Sequence, residues 1–74
     1  MVPAKTHPKW VALLQGHLDY KFSNAAASML LFRLKGDFRR DPTHTTLLRA
    51  VEEMHAFFCK YQRILAPDIA AIFN

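Results

Sequence analysis

From Leu47 the large apolar residues recur at Val51, Met54, Phe58, Tyr61 and Leu65, at spacings of four, three, four, three and four. A helix of 3.6 residues per turn is the regular structure that puts such a series on one side. Ala50, Phe57 and Ile64 widen the stripe, and Arg49, Glu53, Ala56, Lys60 and Arg63 fall on the opposite side. Asp41 and Pro42 supply an N-cap and a first helical residue, and Pro67 supplies a stop, so the pattern predicts a helix over 42–65. A stripe of this length must be covered by other elements, and the rest of the chain offers them.

Pro8 suits a first helical turn, with Thr6 or His7 as its cap, and Val11, Leu14 and Leu18, broadened by Trp10, form a stripe that predicts a helix over 8–19. Gly16 falls inside it, at a cost of about 1 kcal/mol relative to Ala. Ser23 reads as the N-cap of a helix over 23–39, whose seam is Ala27, Leu31, Leu34 and Phe38. Ala26, Met29, Leu30 and Phe32 make that helix apolar nearly all the way round, so it is expected to be enclosed from more than one side. Gly36 is either its stop or a weak point. Asp68 to Phe73, opened by Pro67 and favoured by Asp68 at the positive end of the helix dipole, completes the set as a short helix over 67–73. No strict apolar and polar alternation supports a strand.

The expected fold is therefore all-α: one domain, 1–74, built as a three-helix up-down-up bundle with a short fourth helix. Short connections between consecutive helices favour antiparallel packing. A chain of 74 residues buries only about 60% of the surface it exposes when unfolded. Trp10, Phe22, Phe32, Phe38, Phe57, Phe58, Tyr61 and Phe73 are more large rings than so small a core hides, and Phe57 and Phe58 diverge by about 100° around a helix. A homodimer is expected to complete the bundle.

One cysteine, Cys59, excludes an internal disulfide framework and fits a cytoplasmic chain. The opening residues, with two prolines and two lysines, do not read as a secretory signal. The apolar run from Ala25 to Phe32 is far too short for a membrane span, which needs about 20 residues. The net charge of +4 is unevenly spread. Seven Lys or Arg face Asp19 and Asp37 up to Arg40, whereas three face Asp41, Glu52, Glu53 and Asp68 afterwards.

Three groups of residues carry the functional possibilities. Phe32, Phe38, Phe57, Tyr61 and Phe73 are the aromatic candidates for a surface that binds a second copy or a larger protein. Arg33, Lys35, Arg39 and Arg40 place four cations within eight residues, which suits a polyanion. The acidic outer face of the 42–65 helix and the missing helix-turn-helix pattern argue against nucleic acid as the main partner. Glu52, His55 and Cys59 share one edge of that helix at spacings of three and four and form the metal candidate. Structural zinc sites usually bring two close ligand pairs, and His7, His17 and His44 repeat no spacing. No catalytic constellation or cofactor motif is present, and no motif points to a known family. The expected function is a small interaction or regulatory protein, not an enzyme, that acts by binding another protein; nucleic-acid binding and metal binding are the alternatives.

Overall fold

The computed structural model describes residues 7–73. Four helices follow one another, α1 (Pro8–Gln15), α2 (Ala25–Arg40), α3 (His44–Lys60) and α4 (Gln62–Phe73), and no strand occurs among the described residues. The chain is all-α, in line with its apolar periodicity. Its Cα radius of gyration, 11.3 Å, matches the value of about 11 Å for a packed chain of this length.

Capping chemistry sets the boundaries and moves several of them from where the sequence pattern puts them. His7 caps α1 by accepting the Lys9 N–H at Nδ1, and Pro8 occupies the first turn. Gly16 is the stop of α1, not a weak point inside it: at φ 81° it takes the left-handed conformation. Its N–H reaches Leu13 O and the next N–H, of His17, reaches Ala12 O at 2.8 Å. This pair of bonds is the Schellman closure, which glycine favours because it has no Cβ to clash. The helix therefore ends at Gln15 and not at 19.

The cap of α2 is Asn24, whose Oδ1 accepts the Ala27 N–H at 3.0 Å; Ser23, the expected cap, is engaged elsewhere. Gly36 lies inside α2 and does not stop it. Thr43 caps α3 by accepting the Thr46 N–H, and Asp41, one turn outside the helix, accepts the Thr46 hydroxyl at 2.7 Å. The expected Asp41–Pro42 start thus slides by two residues. The break near the end of the 42–65 pattern falls at Tyr61, and Pro67 lies within α4. Pro67 lacks the N–H that would meet the Arg63 carbonyl, a defect tolerated because the bend at Tyr61 turns Leu65, Asp68 and Ile72 toward the core. A straight continuation would carry those side chains past it.

The core gathers Trp10, Leu13 and Leu14 from α1, Ala27, Leu31 and Leu34 from α2, Leu47, Ala50, Val51 and Met54 from α3, and Leu65 and Ile72 from α4, with Phe22 from the α1–α2 loop. The seam of α2 is the expected one, with Phe38 half-buried at its end. In α1 the inner face is rotated from the expected stripe, because Leu13 is buried while Val11 is half-buried; Leu18 lies beyond the helix, half-buried in the following loop. Trp10 meets the edge of Phe73 at 5.0 Å, and Lys9 Nζ donates to Ile72 O at 2.6 Å, so α1 closes the C-terminal end of α4 with both a ring and a cation.

Met54 is enclosed, whereas Phe58, one turn on, is only half-buried. Met54→Ala should destabilise the chain by about 2–5 kcal/mol. That is comparable with the whole 3–5 kcal/mol that a core of this size supplies. Phe58→Ala should cost less than Met54→Ala in chemical denaturation; a cost as large would mean that another chain covers Phe58 in solution.

Candidate functional site

The seam of α2 turns Leu31 and Leu34 inward, and a rise of about 100° per residue then carries Met29 and Phe32 to the opposite side, about 60° from each other. The structure leaves them bare: Met29 is 73% exposed and Phe32 82%. α2 packs against both α1 and α3, as its apolar character leads one to expect, but its outer face stays uncovered. The first three helices pack against one another, and α4 packs on α3, α1 and the α1–α2 loop, so no described element covers the outer face of α2.

That face borders a groove of about 770 Å³ running from the α1–α2 loop along α2, with Tyr20 at one end, Met29 and Phe32 along it and Lys35 at the other. Lys21 and Arg33 also line it, and no Asp or Glu does. Arg33 Nη2 meets Glu53 Oε1 of α3 at 2.9 Å, an exposed pair. Among the described residues Lys21 and Lys35 have no ion-pair partner.

The wall at Tyr20 is fixed by a polar cluster that sequence reasoning missed. Asp68, 6% exposed, stands in the inner stripe of α4 between Leu65 and Ile72. Tyr20 Oη donates to its Oδ1 at 2.9 Å, the Ser23 hydroxyl lies 3.0 Å from both carboxylate oxygens, and the Ser23 N–H donates at 3.3 Å. Ser28 donates to Phe22 O at 2.7 Å and ties the same loop to α2. Burial alone would push the Asp68 pKa up, but the hydrogen bonds from Tyr20 and Ser23 outweigh it and hold the carboxyl below its ordinary range. The Tyr20 phenol, desolvated and bonded to that carboxylate, is pushed up to about 12. The only sequence signal for this cluster was an acid at an inner position of an apolar stripe, and the misplaced helix start at 67 hid it.

The other aromatic candidates are more sheltered. Phe38 and Phe73 pack against the core, Phe73 also stacking on His7 at 4.2 Å. Phe57 is half-buried and stacks on Tyr61 at 4.7 Å. Tyr61, 36% exposed, and Ile64, 55% exposed, form a smaller apolar spot at the α3–α4 junction, where Lys60 Nζ sits 5.3 Å from the Tyr61 ring centre.

The basic cluster is partly neutralised. Arg33 is paired with Glu53 and Arg40 with Asp37, Lys35 is half-buried beside the groove, and of these four only Arg39 is both exposed and without an ion-pair partner among the described residues. The metal candidate does not assemble. Cys59 Sγ lies 3.7 Å from both ring nitrogens of His55, but Glu52 is exposed apart from them, and no three His, Cys, Asp or Glu converge among the described residues. No described helix is long and apolar enough to cross a membrane.

Compared with known proteins, the chain matches no family model, no curated protein and no solved structure. Its own geometry is what bears on function.

The Asp68 cluster sets a pH range for stability. Asp68 is more acidic folded than unfolded, so its contribution is complete above its ordinary pKa of 3.8 and is lost as pH falls through the lower folded value. Tyr20 is less acidic folded, so its contribution is complete below its ordinary pKa of 10.0 and is lost as pH rises toward about 12. Urea unfolding of Asp68→Asn should lose the dependence below pH 4 and cost about 1–3 kcal/mol at neutral pH. Tyr20→Phe should flatten the alkaline limb between about pH 10 and 12.

Proposed function

We propose that this chain is a small cytoplasmic interaction or regulatory module, built as an up-down-up bundle, that acts by binding another protein through the outer face of α2. The observation that carries the reading is the pair Met29 and Phe32, which lie bare beside a preformed groove. Two large apolar side chains so exposed on one helix face lose the hydrophobic stabilisation that burial would bring, about 1.5–3 kcal/mol each. Contiguous apolar surface of this kind marks interaction sites. The three-residue connection Asp41–Thr43 between α2 and α3 supports the antiparallel arrangement of those two helices. The lone, exposed Cys59 supports a reducing compartment.

A homodimer is the second part of the proposal. Tyr61 and Ile64 at the α3–α4 junction favour it, because they add exposed apolar surface away from α2 that a second copy would cover.

Phe32→Asp tests the first part cleanly, since a side chain 82% exposed is not needed for folding. The variant should keep the thermal midpoint of the parent chain and lose co-purification of its partner protein; retained binding would move the docking face elsewhere. Sedimentation of the parent at micromolar concentration should give about twice the 8.5 kDa chain mass. Ile64→Asp should return it to one chain mass, and a parent that is already a monomer ends the dimer reading.

A further inference from the structure

The groove along α2 selects its occupant by charge and by backbone chemistry, and we infer that it takes an acidic amphipathic helix of a partner protein. This rests on the reading of the α2 face as a docking surface and names what docks there.

Charge is the first argument. Lys21, Arg33 and Lys35 line the groove without a single carboxylate, and only Arg33 is paired, at the exposed Glu53. A second copy of this chain would bring the same three cations face to face in a two-fold contact, and like charges so placed disfavour association. A segment with Asp or Glu flanking its apolar anchors is the complementary partner.

Backbone chemistry is the second. The floor of the groove is α2, whose own N–H and C=O groups are satisfied within the helix, so it offers no edge to which an extended peptide could hydrogen-bond. An incoming segment that leaves water must satisfy its own backbone, and a helix does so. The lined stretch from Ser28 to Lys35 runs about 10 Å along α2, the length over which a helix presents apolar side chains at i, i+3 or i+4 and i+7. Tyr20, anchored on Asp68, makes a fixed end wall, so much of the site exists before binding.

The groove favours a helix over a lipid surface. Met29 and Phe32 border a groove of about 770 Å³, which a helix can enter and a flat bilayer surface would leave in part unfilled.

A random-peptide display library panned against the full chain tests the inference. Selected peptides should combine aromatic or aliphatic anchors at helical spacing with flanking Asp or Glu, and should lose binding to Phe32→Asp. In fluorescence anisotropy at low salt, Lys21→Gln with Lys35→Gln should weaken them by about tenfold. Circular dichroism checks that both variants stay folded, and Lys21→Gln alone, at an exposed site, provides a milder version of the charge test. Peptides that need Phe32 but are neutral or basic would overturn the acidic partner and leave the docking face standing. A library that yields no Phe32-dependent peptide overturns the inference and removes support from the docking face as well. Phe32-dependent sedimentation with phosphatidylserine vesicles in that case would make the face a membrane contact.

Discussion

Asp68 occupies an inner position of α4 between Leu65 and Ile72, where a carboxylate without donors would be driven to neutralise. It stays ionised because the α1–α2 loop comes to it with the Tyr20 hydroxyl and with both the hydroxyl and the N–H of Ser23. The arrangement works in both directions. The loop is fixed against α4 by the same bonds that make the buried charge tolerable. With the loop fixed, Phe22 enters the core, meeting the Tyr20 ring edge-on at 5.2 Å, and the start of α2 is set by Asn24. The position of α2, and with it the exposed face that carries Met29 and Phe32, therefore depends on one carboxylate two helices on in sequence.

Such a contact is invisible to local pattern reading, which explains what was legible and what was not. Apolar periodicity located α1, α2 and α3 because burial of one face is a local property of spacing: Ala27, Leu31 and Leu34 are inside as their phase requires, and so are Leu47, Val51 and Met54. Boundaries failed where side chains had two uses. Ser23 has the chemistry of a cap, but its hydroxyl serves Asp68, and Asn24 takes the capping role. Gly16 lowers helix propensity wherever it stands; that it ends α1 follows from its left-handed backbone, which the sequence permits without requiring. Pro67 is the most misleading residue, since a proline inside a helix is costly and the natural inference is a break there. Leu65, Asp68 and Ile72 share one face by their spacing, that face is buried after the break at Tyr61, and the burial together with the Asp68 bonds offsets one missing hydrogen bond.

The candidate surface was half legible. Phe32 stood among the aromatic candidates, and its phase relative to Leu31 and Leu34 already put it outside. Met29 is its neighbour by the same arithmetic, but a helix apolar on all sides suggested coverage by other helices, and a chain of this length has none to spare. Phe57 and Phe58 resolved differently: both are half-buried, diverging around α3, with Tyr61 stacked on the first. The apolar excess thus ends up mainly on α2, with a smaller share at Tyr61 and Ile64.

Charge gives that excess a direction. Of the four cations on α2, Arg39 and Arg40 lie in the last turn, where the helix dipole favours them, and Arg40 and Arg33 are spent on Asp37 and Glu53, which leaves little for a phosphate backbone. Exposed pairs of this kind contribute at most about 1 kcal/mol to stability. Their larger effect is on where free positive charge remains. With Arg40 held at one end, the unpaired cations Lys21 and Lys35 bracket the groove at Met29 and Phe32, and Arg33 stands between them with its charge shared by Glu53. An apolar floor with cations on its rim and carboxylates excluded discriminates by repulsion as much as by attraction, since a basic segment of equal hydrophobicity would bury the same area against like charge. The cations on the rim thereby sort what is allowed to cover the bare helix.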